Sequence, residues 1–159
     1  MVGNRSRRTG YLKRMGSVLF CLLFIALICM RVQHVQGLVG SGWTKHTYNP
    51  VLYAALSWET HGVFGPFVMK DGSTYKMWYT ATDIFDVARI GYATSSDGIS
   101  WTKNPNAVLD VGSTGQWDSW GVYYPWVIKE ASDSYKMWYA GTPDGLRGDI
   151  GLATSTNGI

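Results

Sequence analysis

The sequence predicts an all-β protein built from two copies of a four-stranded antiparallel unit, and three observations carry that prediction. The body of the chain repeats itself at an offset of 58–60 residues. Within each copy, short runs of β-favouring residues are separated by turn signals such as Asp71-Gly72 and Asp97-Gly98,. No stretch after residue 38 sustains a 3.6-residue apolar period, so a helical bundle is excluded.

The repeat runs along the whole body. Trp43-Thr44-Lys45 returns as Trp101-Thr102-Lys103, and Trp58-Glu59 with Gly62-Val63 returns as Trp117-Asp118 with Gly121-Val122. Pro66 matches Pro125, and Tyr75-Lys76-Met77-Trp78-Tyr79 recurs unchanged at 135–139. Ile90-Gly91-Tyr92-Ala93-Thr94-Ser95 becomes Ile150-Gly151-Leu152-Ala153-Thr154-Ser155, and Asp97-Gly98-Ile99 becomes Asn157-Gly158-Ile159. The offset drifts by two residues, which confines insertions to loops.

Each element of the unit has its own signal. Val63 to Lys70 is a β-rich apolar run, and Lys70-Asp71-Gly72-Ser73 is a turn,. Tyr75 to Ala81 alternates, with Tyr75, Met77 and Tyr79 on one face and Lys76 and Trp78 on the other,. Arg89 to Thr94 is a third strand closed by Asp97-Gly98, and a short fourth strand starts near Trp101,. Four antiparallel strands in about 60 residues, repeated, mark the blades of a β-propeller. The expected domains are a leader over 1–37, one blade over 38–99 and a second over 100–159. A closed ring needs about four blades or more, so the expectation is an N-terminal part of a longer protein. Its open blade faces would be met by the remaining blades of the same protein or by self-association.

Charge divides the chain in two. Residues 1–37 hold six Lys+Arg and no acid, while residues 38–159 hold eight Lys+Arg against eleven Asp+Glu. The overall +3 therefore belongs to the leader, and the weakly acidic body gives no footprint for nucleic acid. Both cysteines, Cys21 and Cys29, are in the leader, which excludes disulfides and cysteine chemistry from the body. The leader reads as an export signal. Basic residues up to Arg14 precede the apolar run Val18 to Met30, with Val35 and Gly37 as small residues before a cleavage point,. That run is shorter than the roughly 20 residues of a membrane span. The expected location is secreted or extracytoplasmic, with the membrane involved only through an uncleaved leader.

The segments TYKMWYTA and RIGYATSSDGISWTK, the run NPNAVLD and the twice-used W-[DE]-x-x-G-V-x-x-P resemble the five-bladed β-propellers of the glycoside hydrolase superfamily. That group includes families 32, 43, 68 and 130, and the resemblance covers residues 42–159. The Ser95-Ser96-Asp97-Gly98-Ile99-Ser100-Trp101 run departs from the sialidase Asp-box in its Asp-to-Trp spacing. The resemblance implies cleavage of O-glycosidic bonds in an oligosaccharide or polysaccharide by carboxylates around an axial pocket. It implies no cofactor. The alternative is a non-catalytic carbohydrate-binding or cell-surface interaction propeller. In families 43 and 32 the acids stand on or beside the innermost strand, next to a proline. The matching positions here are Gly65, Phe67, Tyr124 and Trp126, none of them acidic.

The candidate catalytic pair is therefore Glu59 and Asp118, equivalent residues just before each innermost strand. Their recurrence in both copies equally fits a turn residue that every blade needs. Trp58, His61, Trp117, Tyr123, Tyr124 and Trp126 are the candidate substrate contacts, since aromatic faces stack on apolar sugar faces. Tyr123, Tyr124 and Trp126 carry most weight because the other copy has Phe64, Gly65 and Phe67. Trp120 belongs to the same cluster. Trp78 and Trp138, strictly repeated, are expected in the core between blades. Asp83, Asp86 and Arg89, and in the other copy Asp144, Arg147 and Asp149, lie in loops that differ between copies, as binding loops do. They offer too few oxygens for a calcium site, and no metal is expected.

Overall fold

The computed structural model describes residues 42–159, and the expected leader lies outside them. Seven strands and no helix occur among the described residues. β1 (Gly62–Asp71), β2 (Thr74–Thr82), β3 (Ala88–Ser95) and the two-residue β4 (Thr102–Lys103) form the first repeat. β5 (Gly121–Ala131), β6 (Ser134–Thr142) and β7 (Asp149–Ser155) form the second. Within each repeat consecutive strands pair antiparallel as a meander, and a single parallel pairing, Ala88 with Gly121, links the two. The first three expected strands are present in each repeat and run a residue or so longer; the expected fourth strand is only the two-residue β4 in the first repeat, and the second repeat shows three strands among the described residues.

The two repeats share one register. Phe67, Trp78 and Tyr92 are cross-strand neighbours in the first, as Trp126, Trp138 and Leu152 are in the second. The neighbouring row is Val68, Met77 and Ala93, matched by Val127, Met137 and Ala153. With a side-chain period of two, these rows occupy opposite faces of each sheet. The turn after β3 is built by side chains. Ser95 Oγ accepts from Gly98 N–H at 2.8 Å, and Asp97 Oδ1 accepts from Ser100 N–H at 2.7 Å. Ser155 and Asn157 repeat this arrangement.

The core lies between the repeats. Trp78, Ile90 and Tyr92 pack against Val122, Val127, Tyr135 and Tyr139. Trp78 is fully enclosed, and its indole N–H donates to Gly158 O at 2.8 Å. Trp138 departs from expectation. It stands 36% exposed on the outward face of the second repeat, where no described element covers it. A polar staple closes the seam at one end. The Asp71 carboxylate accepts from Lys129 Nζ at 2.8 and 2.9 Å and from Lys76 Nζ at 2.8 Å. Those hydrogen bonds, Lys129 first, lower the Asp71 pKa to about 2,.

Candidate functional site

Both innermost strands break register at the same place, between Phe64 and Phe67 in β1 and between Tyr123 and Trp126 in β5. The bulge falls at the residue before proline, Gly65 or Tyr124, and each adopts a left-handed φ, +57° and +53°. Glycine takes that conformation freely, whereas tyrosine is strained there. Backbone strain of this kind collects at functional positions. Tyr124 is held from the other repeat, because its N–H donates to Thr80 Oγ1 at 2.9 Å. A Cβ on Gly65 would come within 2.8 Å of the Tyr124 ring. The glycine in one repeat thus makes room for the tyrosine of the other.

Around this bulge the side chains form an exposed aromatic rim. Tyr124, 61% exposed, lies 6.0 Å edge-on from Phe64 and 6.1 Å from Tyr123, ring centre to ring centre. Trp126, also mostly exposed, stacks 5.0 Å from Phe67. His61 and Trp120 occupy equivalent places just before their innermost strands. Each donates its backbone N–H, at 2.9 Å, to the last residue of the neighbouring strand, Thr82 or Thr142.

His61 is not isolated. Its Nδ1 lies 2.7 Å from Asp86 Oδ1, with both side chains more than 60% exposed. Asp86 is the second non-glycine residue in the left-handed region, at φ +60°. Burial first, and then the negative charge of Asp86, push the Tyr123 phenol up from its ordinary pKa,. The same loop is braced by Arg89, which bonds Asp83 at 2.9 Å and Asp110 at 2.8 Å. This strand end therefore gathers a His–Asp pair whose imidazole Nε2 has no partner among the described residues, with aromatic faces and phenolic hydroxyls. Such a set hydrogen-bonds hydroxyl groups and stacks on apolar ring faces.

Glu59 and Asp118 occupy a different setting, beneath the rim. Glu59 has no exposed surface. Its Oε1 accepts from the Ala55 and Leu56 N–H groups at 2.8 and 3.0 Å and meets Lys103 Nζ, while Oε2 accepts from Tyr79 OH at 3.1 Å. Asp118 Oδ2 accepts from Tyr139 OH at 3.0 Å. Burial first, then the bonded carboxylate, push Tyr139 up to about 12, and Tyr79 moves the same way. A general acid or base must reach its substrate within about 3 Å, and Glu59 presents no surface from which to do so. The geometry instead makes each acid a lock between the loop before the innermost strand and the tyrosine of the next strand. Trp58 donates to Pro105 O at 2.9 Å, and Trp117 stacks 5.6 Å from Tyr139, so both belong to this packing layer.

Sequence reasoning passed over three contributors: Lys103, Asp86 as the partner of His61, and Thr80. The recurrence of Lys45 as Lys103 was the available signal for the first. Among the described residues no cluster of three or more His, Cys, Asp or Glu is placed to hold a metal ion.

No family model matches the chain. It is 34% identical over 119 residues to the 1,2-beta-oligomannan phosphorylase of Thermoanaerobacter sp. (strain X514), spanning 68% of this chain and 39% of that protein. Among solved structures, a glycosyl hydrolase from Bacteroides ovatus superposes with a TM-score of 0.61 at 21% identity, over 73% of this chain and 39% of that one. A structure from the GH130 family of mannoside phosphorylases, which contains glycoside hydrolases that target beta-1,2 mannosidic linkages in Candida mannan, gives 0.56 at 22% identity, over 75% and 41%. The chain shares its fold with parts of these proteins. It spans 31–39% of the length of the curated relatives it matches.

Proposed function

We propose that residues 46–159 are two consecutive blades of a five-bladed β-propeller. They would supply the sugar-binding wall of a carbohydrate-active enzyme that cleaves O-glycosidic bonds in an oligosaccharide or polysaccharide. The observation that carries this reading is the strained, exposed Tyr124 at the bulge of β5, flanked by Phe64, Tyr123 and the His61–Asp86 pair. In this proposal a sugar ring stacks on Tyr124 and Trp126, and His61, oriented by Asp86, hydrogen-bonds a hydroxyl. Glu59 and Asp118 hold the loops that carry the wall. The likeness to an oligomannan phosphorylase and to proteins acting on beta-1,2 mannosidic linkages supports β-linked mannosides as the substrate class. The basic, apolar leader supports export to an extracytoplasmic location,.

Incubation of the full chain with β-1,2-linked mannobiose, with and without inorganic phosphate, tests the proposal. Mannose released without phosphate assigns hydrolysis, and mannose 1-phosphate formed only with phosphate assigns phosphorolysis. Absence of both turnover and binding would overturn the reading. A second reading, carbohydrate binding without cleavage, is favoured by one specific observation. Gly65, Phe67, Tyr124 and Trp126, where the resembled families carry acids, hold none, and Glu59 is sealed from solvent. Saturable sugar binding without turnover would select it.

A further inference from the structure

Where the second strand of each repeat passes the bulged innermost strand, the two repeats differ by one hydroxyl. Thr80 pairs with Phe64 on one side and Ile90 on the other, as Ala140 pairs with Tyr123 and Ile150. The register is the same in both, so the strand forms with alanine at this place and the scaffold has no need of a hydroxyl. Thr80 carries one all the same, and it is fully buried. A buried hydroxyl costs folding free energy unless it is hydrogen-bonded. The bond it makes is therefore the place to look for its role.

That bond crosses from one repeat to the other. Thr80 Oγ1 accepts from the Tyr124 N–H at 2.9 Å, 44 residues away in the sequence. The β5–β6 register breaks between Tyr123 and Trp126, so the Tyr124 amide falls in the stretch where a bulge leaves a residue without a ladder partner. Thr80 supplies the acceptor that the ladder does not. Tyr124 has φ +53°, a region tyrosine seldom occupies. Such a conformation persists only where its surroundings over-determine it. Gly65 adds a second constraint: a Cβ there would lie 2.8 Å from Tyr124 Cδ1 and 3.4 Å from Thr80 Oγ1. Glycine, threonine hydroxyl and tyrosine thus share one packed junction.

We propose that Thr80 is a positioning residue for sugar recognition, its hydroxyl fixing the left-handed backbone of Tyr124 and so the aim of the exposed ring. The role rests on the carbohydrate reading of the rim. Thr80 has no exposed surface and acts only through Tyr124. With the amide held, the ring is ordered before the sugar arrives, and the entropy of ordering it does not weaken binding. Ala140, at the matching place in the second repeat, has no hydroxyl with which to do this.

Calorimetric titration of the full chain with β-1,2-linked mannobiose, together with hydrogen exchange of the Tyr124 amide followed by NMR, tests this. Thr80→Val keeps the side-chain shape and removes the acceptor, and Thr80→Ala copies the residue of the second repeat. Both should bind the sugar on the order of tenfold more weakly than wild type. Both should also lose exchange protection at Tyr124 while the ladder-bonded amides of β5 keep theirs. Thr80→Ser keeps the hydroxyl and should retain affinity and protection, and Ala140→Thr should change neither. Wild-type affinity in Thr80→Val or Thr80→Ala would overturn the role of Thr80 and leave the carbohydrate reading standing. Equal weakening in Thr80→Ser would make Thr80 a packing residue and overturn it too. Failure of both Thr80→Val and Thr80→Ala to fold would place the hydroxyl in the scaffold, with the same result. A wild type that binds no sugar would overturn the carbohydrate reading and this role with it.

Discussion

The two repeats are the same scaffold put to different use at one end. Residues 75–79 and 135–139 are identical, the strands pair in one register, and each repeat ties a buried acid to a tyrosine, Glu59 to Tyr79 and Asp118 to Tyr139. At the bulge before the proline they part: glycine in the first, a strained and exposed tyrosine in the second. They part again just before the innermost strand, where His61 pairs with Asp86 and Trp120 stands in its place. What a repeat needs to fold is copied, and the exposed rim is not.

The largest expected difference is at the tryptophan shared by both repeats. Trp78→Ala removes a fully enclosed side chain and should cost about 3–5 kcal/mol, as buried Trp→Ala changes do. Trp138→Ala, at a half-covered position, should cost clearly less. Equal losses in denaturant unfolding would break the comparison. Next comes the acid lock. Glu59→Gln removes the charge that faces Lys103 in a site with little solvent, leaving the ammonium only the Tyr53 carbonyl and a neutral amide, and should cost about 3–5 kcal/mol,. Asp118→Asn keeps an amide oxygen to accept from the Tyr139 phenol, loses only the charge assistance of that bond and should cost about 0.5–1.5 kcal/mol,. A thermal melt of the two variants side by side would sharpen this asymmetry or erase it.

The bulge should respond in the opposite sense. Tyr124→Gly relieves a left-handed backbone that costs of order 1–3 kcal/mol, offset by the packing lost against Phe64 and Gly65. Its stability should be near that of the wild type while sugar binding disappears. Stability falling along with binding would make Tyr124 a scaffold residue. The smallest effect is the seam at Asp71. Its carboxylate pKa is held at about 2, below the ordinary 3.8, so the stabilisation is present above about pH 4 and is lost as pH falls towards 2,. The melting-temperature gap between wild type and Asp71→Asn should close over that interval and stay constant above it.

The scaffold was legible in the sequence because repetition and strand period are local signals. Tyr75 to Tyr79 shows its two faces in five residues, and the second copy repeats them. Glu59 and Asp118 were legible as a recurring pair, and their recurrence already fitted a structural role. Other features were not legible, because they depend on contacts far apart in the chain. The Glu59–Lys103 pair spans 44 residues and His61–Asp86 spans 25. A positive φ at Tyr124 has no signature in residue type, since tyrosine seldom adopts it. Trp138 shows the limit from the other side: an identical residue in an identical strand is buried or exposed according to what lies against it.

The most direct test of the central claim is a calorimetric titration of the full chain with β-1,2-linked mannobiose. Wild type is compared with Tyr124→Gly at the divergent end and with Glu130→Gln, an exposed change at the other end of β5. Saturable heat is expected for wild type and Glu130→Gln and none for Tyr124→Gly. No heat from the wild type, or equal heat from all three, would contradict it.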